Sequence, residues 1–394
     1  MAENGTLVTE FVLLGFQLSA ELQTGLFFVF LLLYLITLGG NLGVTALIQS
    51  DPRFQTPMYF FLGHLSFLDI CYSSVIVPQL LETLRTGKRT ITFERCATQF
   101  FFFTLCASAE CFLLAVMAYD RCVAVCNALL YASAMTPQTR LGLVAGAYGG
   151  AAVNSVVRTG CAFSLSFCKS NHVDFFFCDL PPLLKLACSE TRPRERVIYL
   201  LAFLVIATSV SVILISYLFI IRAILKIRSA GGKAKTFSTC ASHITAVALF
   251  FGTLIFIYLK GNMGKSLGED KIVSVFYTVV IPMLNPLIYS LRNKEVKEAL
   301  KRALSRMKVS QAECSCSQMP TTRVLPTCLH LLPASTQSVP AASPGFHGCK
   351  RAELQLRKET RTPVFFTALF TIVKIWKQPK CPRRMNGRRC GTCG

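Results

Sequence analysis

Apolar runs of spanning length, separated by shorter polar stretches, recur seven times along the chain. They fall at about Leu22–Ile48, Met58–Pro78, Ala97–Ala118, Arg140–Gly160, Arg196–Ile221, Thr236–Leu259 and Ile272–Leu291. A helix of about 20 residues crosses the roughly 30 Å apolar core of a bilayer, and inside lipid a helix satisfies its own backbone. The pattern predicts an all-α membrane protein, a seven-transmembrane helix bundle over residues 22–291, preceded by an extracellular segment, residues 1–21. Residues 292–309 alternate Lys or Arg with apolar side chains at helical spacing, which predicts a short amphipathic helix on the inner membrane face. Residues 310–394 cluster Pro, Ser, Thr and Cys and predict a disordered, basic cytoplasmic tail. Within it Val364–Val373 is apolar but too short to span.

Some local features refine the helices. Pro57 suits the first turn of the second, whereas Pro282 and Pro286 interrupt the seventh and predict kinks. In the first, Gly39, Gly40 and Gly43 allow a neighbouring helix to approach closely, and Asn41 among them is placed to bond across to it.

Composition agrees with a membrane protein: 53% of residues are hydrophobic and the mean hydropathy is +0.50. The net charge of +21 would suit a nucleic-acid partner only if it formed a stripe. Instead residues 1–309 hold 28 basic against 17 acidic side chains, scattered over loops and helix ends, and residues 310–394 hold 13 against 3. Such charge belongs to membrane flanks, so membrane lipid is the expected partner and nucleic acid is not. Arg383, Arg384, Arg388 and Arg389 would attract anionic lipid, and Cys314 or Cys316 would take an acyl chain. Met1–Glu21 has three Glu and no Lys or Arg, unlike a cleavable signal, so the first helix is expected to target the chain. No HExxH or GxSxG occurs and the five His are dispersed, which argues against an enzyme and a metal centre.

Candidate chemistry concentrates at a few places. Asp120-Arg121 sets an acid beside a base at the end of the third run, where such a pair can exchange partners between two states. Asp69 and Glu110 sit midway along the second and third runs, and two carboxylates at that depth need a proton, a cation or an amide. An ion-coupled small-solute transporter using these acids is the alternative function, though no internal repeat relates the two halves. His243 near the start of the sixth run fits an interhelical hydrogen bond better than a metal site. Cys96 precedes the third run, and Cys168, Cys178 and Cys188 lie in the longest loop; disulfides there require an oxidising, outside location and allow three connectivities. Asn4-Gly5-Thr6 is a glycosylation acceptor if the N-terminus is extracellular.

Four long motifs in order carry a family resemblance: Pro57–Leu62 with Leu65–Asp69, Met117–Val125, Ser238–His243, and Pro282–Asn293. Over residues 4–309 the chain resembles the olfactory receptors, a branch of the rhodopsin-like G-protein-coupled receptors. The resemblance implies a plasma-membrane odorant receptor that binds a small, mostly apolar volatile molecule and raises cyclic AMP through a stimulatory olfactory G protein. It implies disulfides Cys96–Cys178 and Cys168–Cys188. It implies a ligand set of Thr104, Ala107, Ser108, Leu201, Val205, Leu254, Tyr258 and Thr278. Asp69, Glu110 and Asn285, with Ser66 near them, are expected to hold a sodium ion or a shared proton. At the inner end Arg121 is expected to pair with Asp120, reach toward Thr239 or His243, and pass to Tyr217 and Tyr289 on activation. The chain departs from the family pattern at Cys122 and Phe251, where Tyr is usual, at Ala128, where Pro is usual, and in the extension after Val309.

Overall fold

Each of the seven apolar runs lies inside a helical segment longer than itself. The computed structural model describes residues 8–168, 170–260, 267–292, 296 and 298. In chain order its elements are β1 (Glu10–Leu13), α1 (Ala20–Ser50), α2 (Pro57–Thr86), β2 (Thr90–Thr92), α3 (Phe93–Cys126), α4 (Tyr131–Ala134), α5 (Pro137–Phe163) and β3 (His172–Val173). There follow α6 (Leu180–Leu186), α7 (Arg192–Lys226), α8 (Ala230–Lys260), α9 (Leu267–Val275), a π-helical turn (Phe276–Val280) and α10 (Ile281–Arg292). Caps set some of the helix ends. Thr92 and Thr136 accept from the backbone N–H of Arg95 and Thr139 at the starts of α3 and α5. Gly87, at φ +70°, closes α2 in a conformation that favours glycine.

Four of these helices and the stretch Asp270–Tyr289 are long and apolar enough to cross a membrane, and the two halves of α8, bent by 42°, make a sixth span. The remaining apolar run lies in α5, which is rich in Gly and Ala and falls short of that measure, yet it packs along α3 and against α7. Long α3 is the centre of the bundle, touching α2, α5, α7 and α8, while α1 packs on α2 and α10. Gly40 is needed at the α1–α10 crossing: a Cβ there would stand 3.1 Å from the Pro286 ring. One residue on, Asn41 donates to the carbonyl of Pro282 at 3.0 Å.

The break in the seventh span comes at the π-helical turn and not at Pro286, which lies inside α10. Proline lacks an N–H and its ring collides with the carbonyl four residues back. The wider turn, with Ile281 N–H bonded to Phe276 O, ends just before Pro282, whose ring would clash with the Thr278 carbonyl in a regular helix. Pro282 then falls in the first turn of α10, where a missing N–H costs little.

At one end the N-terminal segment is folded down as a lid. Strand β1 pairs antiparallel with β2 (Phe11 opposite Ile91) and parallel with β3 (Leu13 opposite Val173). Its Phe11 and Leu13 are buried on one face while Glu10 is exposed, the alternation of a half-buried strand. Two disulfides, Cys96–Cys178 and Cys168–Cys188, tie the long loop to α3 and to itself. Lys271 bonds Gly15 O at 2.9 Å and Asp174 at 2.6 Å, joining α9 to both layers of the lid. Asn4, all of the helix expected over 292–309 except residues 292, 296 and 298, which are helical, and the tail over 310–394 lie outside the described residues.

Candidate functional site

Three polar groupings are built along α3, at its middle, its inner end and its lid-facing half. At the middle, Asp69 of α2 faces Asn285 of α10, whose side-chain amide donates to both carboxylate oxygens at 3.0 and 3.2 Å. Glu110 of α3 is buried beside them, 2% exposed, and Ser66 is buried one turn before Asp69. Glu110 Oε1 and Asn285 Oδ1 have no hydrogen-bond partner among the described residues. The centre thus holds an excess of buried oxygen acceptors, the donor set of a proton or a hard cation.

At the inner end both Asp120 and Arg121 are buried, and the expected Asp120–Arg121 ion pair is absent among the described residues. Successive helix residues point about 100° apart, so an adjacent acid and base do not face each other. Asp120 instead accepts from the Tyr131 hydroxyl of α4 at 2.9 Å. Burial first, then the Asp120 charge and bond, push the Tyr131 phenol up from its ordinary value. Arg121 is buried at the same level, its charge reaching Asp120 and Tyr131 as well as Tyr217, Cys240, His243 and Tyr289.

His243 is fully buried and bridges three helices. Its Nε2 lies 3.0 Å from the carbonyl of Leu114, and its Nδ1 lies 2.7 Å from the Tyr217 hydroxyl. A carbonyl only accepts, so Nε2 carries a proton; Nδ1 of the neutral ring then accepts from Tyr217. The ring also stacks on Tyr217 at 5.8 Å. The buried Tyr289 hydroxyl has no partner among the described residues. The Thr239 side chain lies outside them.

Toward the lid, the structure gathers only part of the expected ligand set. Ala107, Val205 and Leu254 join one apolar cluster, Leu201 is half-buried, and Thr278 is fully buried, donating to Ser274 O at 2.6 Å. The Tyr258 side chain lies outside the described residues. Thr104 and Ser108 depart from the expected geometry. Thr104 shares a 2.7 Å hydrogen bond with Ser155 of α5, and Ser108 accepts from Asn154 of α5 at 2.7 Å. A buried hydroxyl must be paired, and here α5 supplies the partners, so these two serve the α3–α5 joint.

Sequence reasoning missed several groups that hold the site. Gln99 donates to Val75 O of α2 at 3.1 Å and accepts from Cys178 N–H at 2.9 Å, clamping the lid to two helices. Asp179 accepts from Leu180 N–H at the start of α6. Burial raises its carboxyl to about 6, against the opposing pull of that N–H and of Arg158, while Asp270 adds to the rise. A cleft of about 350 Å³ lies between α2 and α3 near the lid. Gln99 and the cleft have no local signal, since their partners are brought in by the fold, whereas Asp179 caps its own neighbour ahead of two prolines, a helix-start pattern.

A family model described as olfactory receptor matches residues 30–307. Human olfactory receptor 9I1 is 62% identical over 311 residues, covering 79% of this chain and 99% of that protein. Human olfactory receptor 9Q2 is 59% identical over 309 residues (78% and 98%), and mouse olfactory receptor 5G9 is 50% identical over 307 residues (78% and 98%). Among solved structures the fold is similar to that of squid rhodopsin, with a TM-score of 0.59 at 16% identity, over 74% of this chain and 88% of that one. The likeness to rhodopsin concerns the fold alone. The chain belongs to the olfactory receptor family, multi-pass plasma-membrane proteins that are signalling receptors and not enzymes.

Proposed function

We propose that this odorant receptor binds a small, mostly apolar molecule within the helix bundle and activates a stimulatory olfactory G protein, raising cyclic AMP. The observation that carries the reading is the Tyr217–His243–Leu114 bridge beside buried Arg121. It ties α3, α7 and α8 together at the inner end by two hydrogen bonds, each worth about 1 kcal/mol net. A ligand that favours an outward α8 by a few kcal/mol inverts such a balance. Arg121 then leaves its resting surroundings, Tyr217 and Tyr289 hold it, and the G protein's terminal helix docks beside it.

The ligand contacts Ala107, Leu201, Val205, Leu254, Tyr258 and Thr278, with Thr104 and Ser108 acting only once a hydroxyl leaves α5. Affinity comes from buried apolar area, about 25 cal/mol per Å², and specificity from the few hydroxyls. The lid faces the outside, because its two disulfides persist only on the oxidising side.

In the resting state Asp69, Glu110 and Asn285 hold a sodium ion or a shared proton. The unpartnered Glu110 Oε1 and Asn285 Oδ1 fit such a guest, and two bare carboxylates at bilayer depth would each cost several kcal/mol. Either guest would neutralise charge there; Asp69, Glu110 and Asn285 would hold it and so couple α2, α3 and α10.

A panel of volatile molecules applied to cells expressing the chain, with and without the stimulatory olfactory G protein, tests the reading. Ligand-dependent cyclic AMP only in its presence is the expected result. A response that persists without that G protein, or solute uptake without cyclic AMP, would overturn it.

A further inference from the structure

The cleft between α2 and α3 is formed by one face of each helix. Ser74, Pro78 and Glu82 recur at four-residue spacing on α2, and Arg95, Gln99 and Phe102 follow one stripe of α3. Phe102 is 45% exposed and Pro78 is exposed, so the cleft opens sideways to lipid and not into the bundle. Glu82 and Arg95 lie near the lid-side helix ends, at headgroup level. Ser74 is eight residues deeper than Glu82, a drop of about 12 Å, past apolar Val75 and Pro78. Among the described residues neither the Glu82 carboxylate nor the Arg95 guanidinium has an ion-pair or hydrogen-bond partner. Two opposite charges therefore line one cleft without meeting.

A guest that satisfies both must carry an anion for Arg95 and a cation for Glu82 above an apolar chain. An anionic lipid leaves Glu82 unpaired, and a sterol offers a single hydroxyl. We propose that this cleft is a binding site for a zwitterionic phospholipid of the outer leaflet, with its phosphate on Arg95, its ammonium at Glu82 and an acyl chain along Pro78 and Phe102. At about 350 Å³ the cleft accepts the headgroup and the first part of one chain. The leaflet assignment rests on the lid facing outside, where the anionic lipids of the cytoplasmic leaflet are not concentrated. Val75 and Gln99, both in its wall, carry the clamp on Cys178, so the lipid braces the foot of the lid.

Full-length receptor in nanodiscs containing a trace of phosphatidylcholine with a photoactivatable acyl chain tests the site. Crosslinks are expected in residues 74–82 and 95–102. A roughly tenfold excess of unlabelled phosphatidylcholine over the probe should suppress them about tenfold by mass action. Phosphatidylglycerol, cholesterol and soluble glycerophosphocholine should not. Glu82→Gln with Arg95→Gln should lower this labelling about tenfold and leave labelling elsewhere unchanged. If the double variant does not purify in folded form, the competition on the unaltered chain decides. Uniform labelling of all helices, equal suppression by phosphatidylglycerol or cholesterol, or full labelling of a folded double variant would overturn the site.

Discussion

Tyr131 donates its hydroxyl proton to Asp120 across 2.9 Å, so the acid beside Arg121 is held by the short α4 turn and not by its sequence neighbour. Asp120 is 1% exposed, and a buried acceptor stripped of its donor costs about 1–3 kcal/mol. Tyr131→Phe is therefore expected to raise basal cyclic AMP and lower thermal stability at matched surface level. Unchanged basal output and stability would show that the bond does not restrain the inner end.

Tyr217→Phe keeps the ring on His243 but removes the proton that Nδ1 accepts. The expected loss is about 1 kcal/mol from the resting arrangement, read as a severalfold rise in basal signalling. His243→Ala, which also frees Leu114 O, should raise it further. A drop in basal output in both variants would mean that the bridge belongs to the active arrangement.

Glu110→Gln retains the side chain's size and removes one buried charge. With a single carboxylate left, sodium dependence of ligand affinity should weaken and basal output should shift. Expression, basal signalling and sodium response all unchanged would rule out an ion or shared proton at Asp69, Glu110 and Asn285.

Asp179 gives a pH signature to the lid. Its folded value of about 6 is raised above the unfolded one near 3.8, so its contribution is full below about 3.8 and is lost as pH rises through 6. Asp179→Asn keeps an acceptor for Leu180 N–H without the buried charge. Thermal unfolding in nanodiscs should show a higher midpoint at pH 7.4, by about 2–4 °C, and a flatter profile between pH 4 and 6. A variant whose profile matches the parent would remove Asp179 from the lid's pH response.

Most helices were legible because long apolar runs dominate every local preference, and Asn41 because a lone amide among glycines in lipid needs a partner. Strand β1 was not: four residues of alternation are too few to stand out, and its burial depends on β2 and β3 far along the chain. Thr104 and Ser108 were placed on the right helix, but periodicity defines a face about 100° wide and cannot tell a pocket from a joint. Their partners Ser155 and Asn154 lie on another helix. Adjacency misled at Asp120-Arg121 for the same reason, since neighbours in sequence diverge on a helix.

Arg121→Ala tests the central claim most directly: that the inner-end network around Arg121 couples a ligand in the bundle to the G protein. Ligand binding and cyclic AMP should be measured on the same cells at equal surface expression. Binding should be retained, because Arg121 lies more than two helical turns along α3 from Ala107, while the cyclic AMP response falls to background. A well-expressed Arg121→Ala receptor with a normal ligand-driven response would contradict the account.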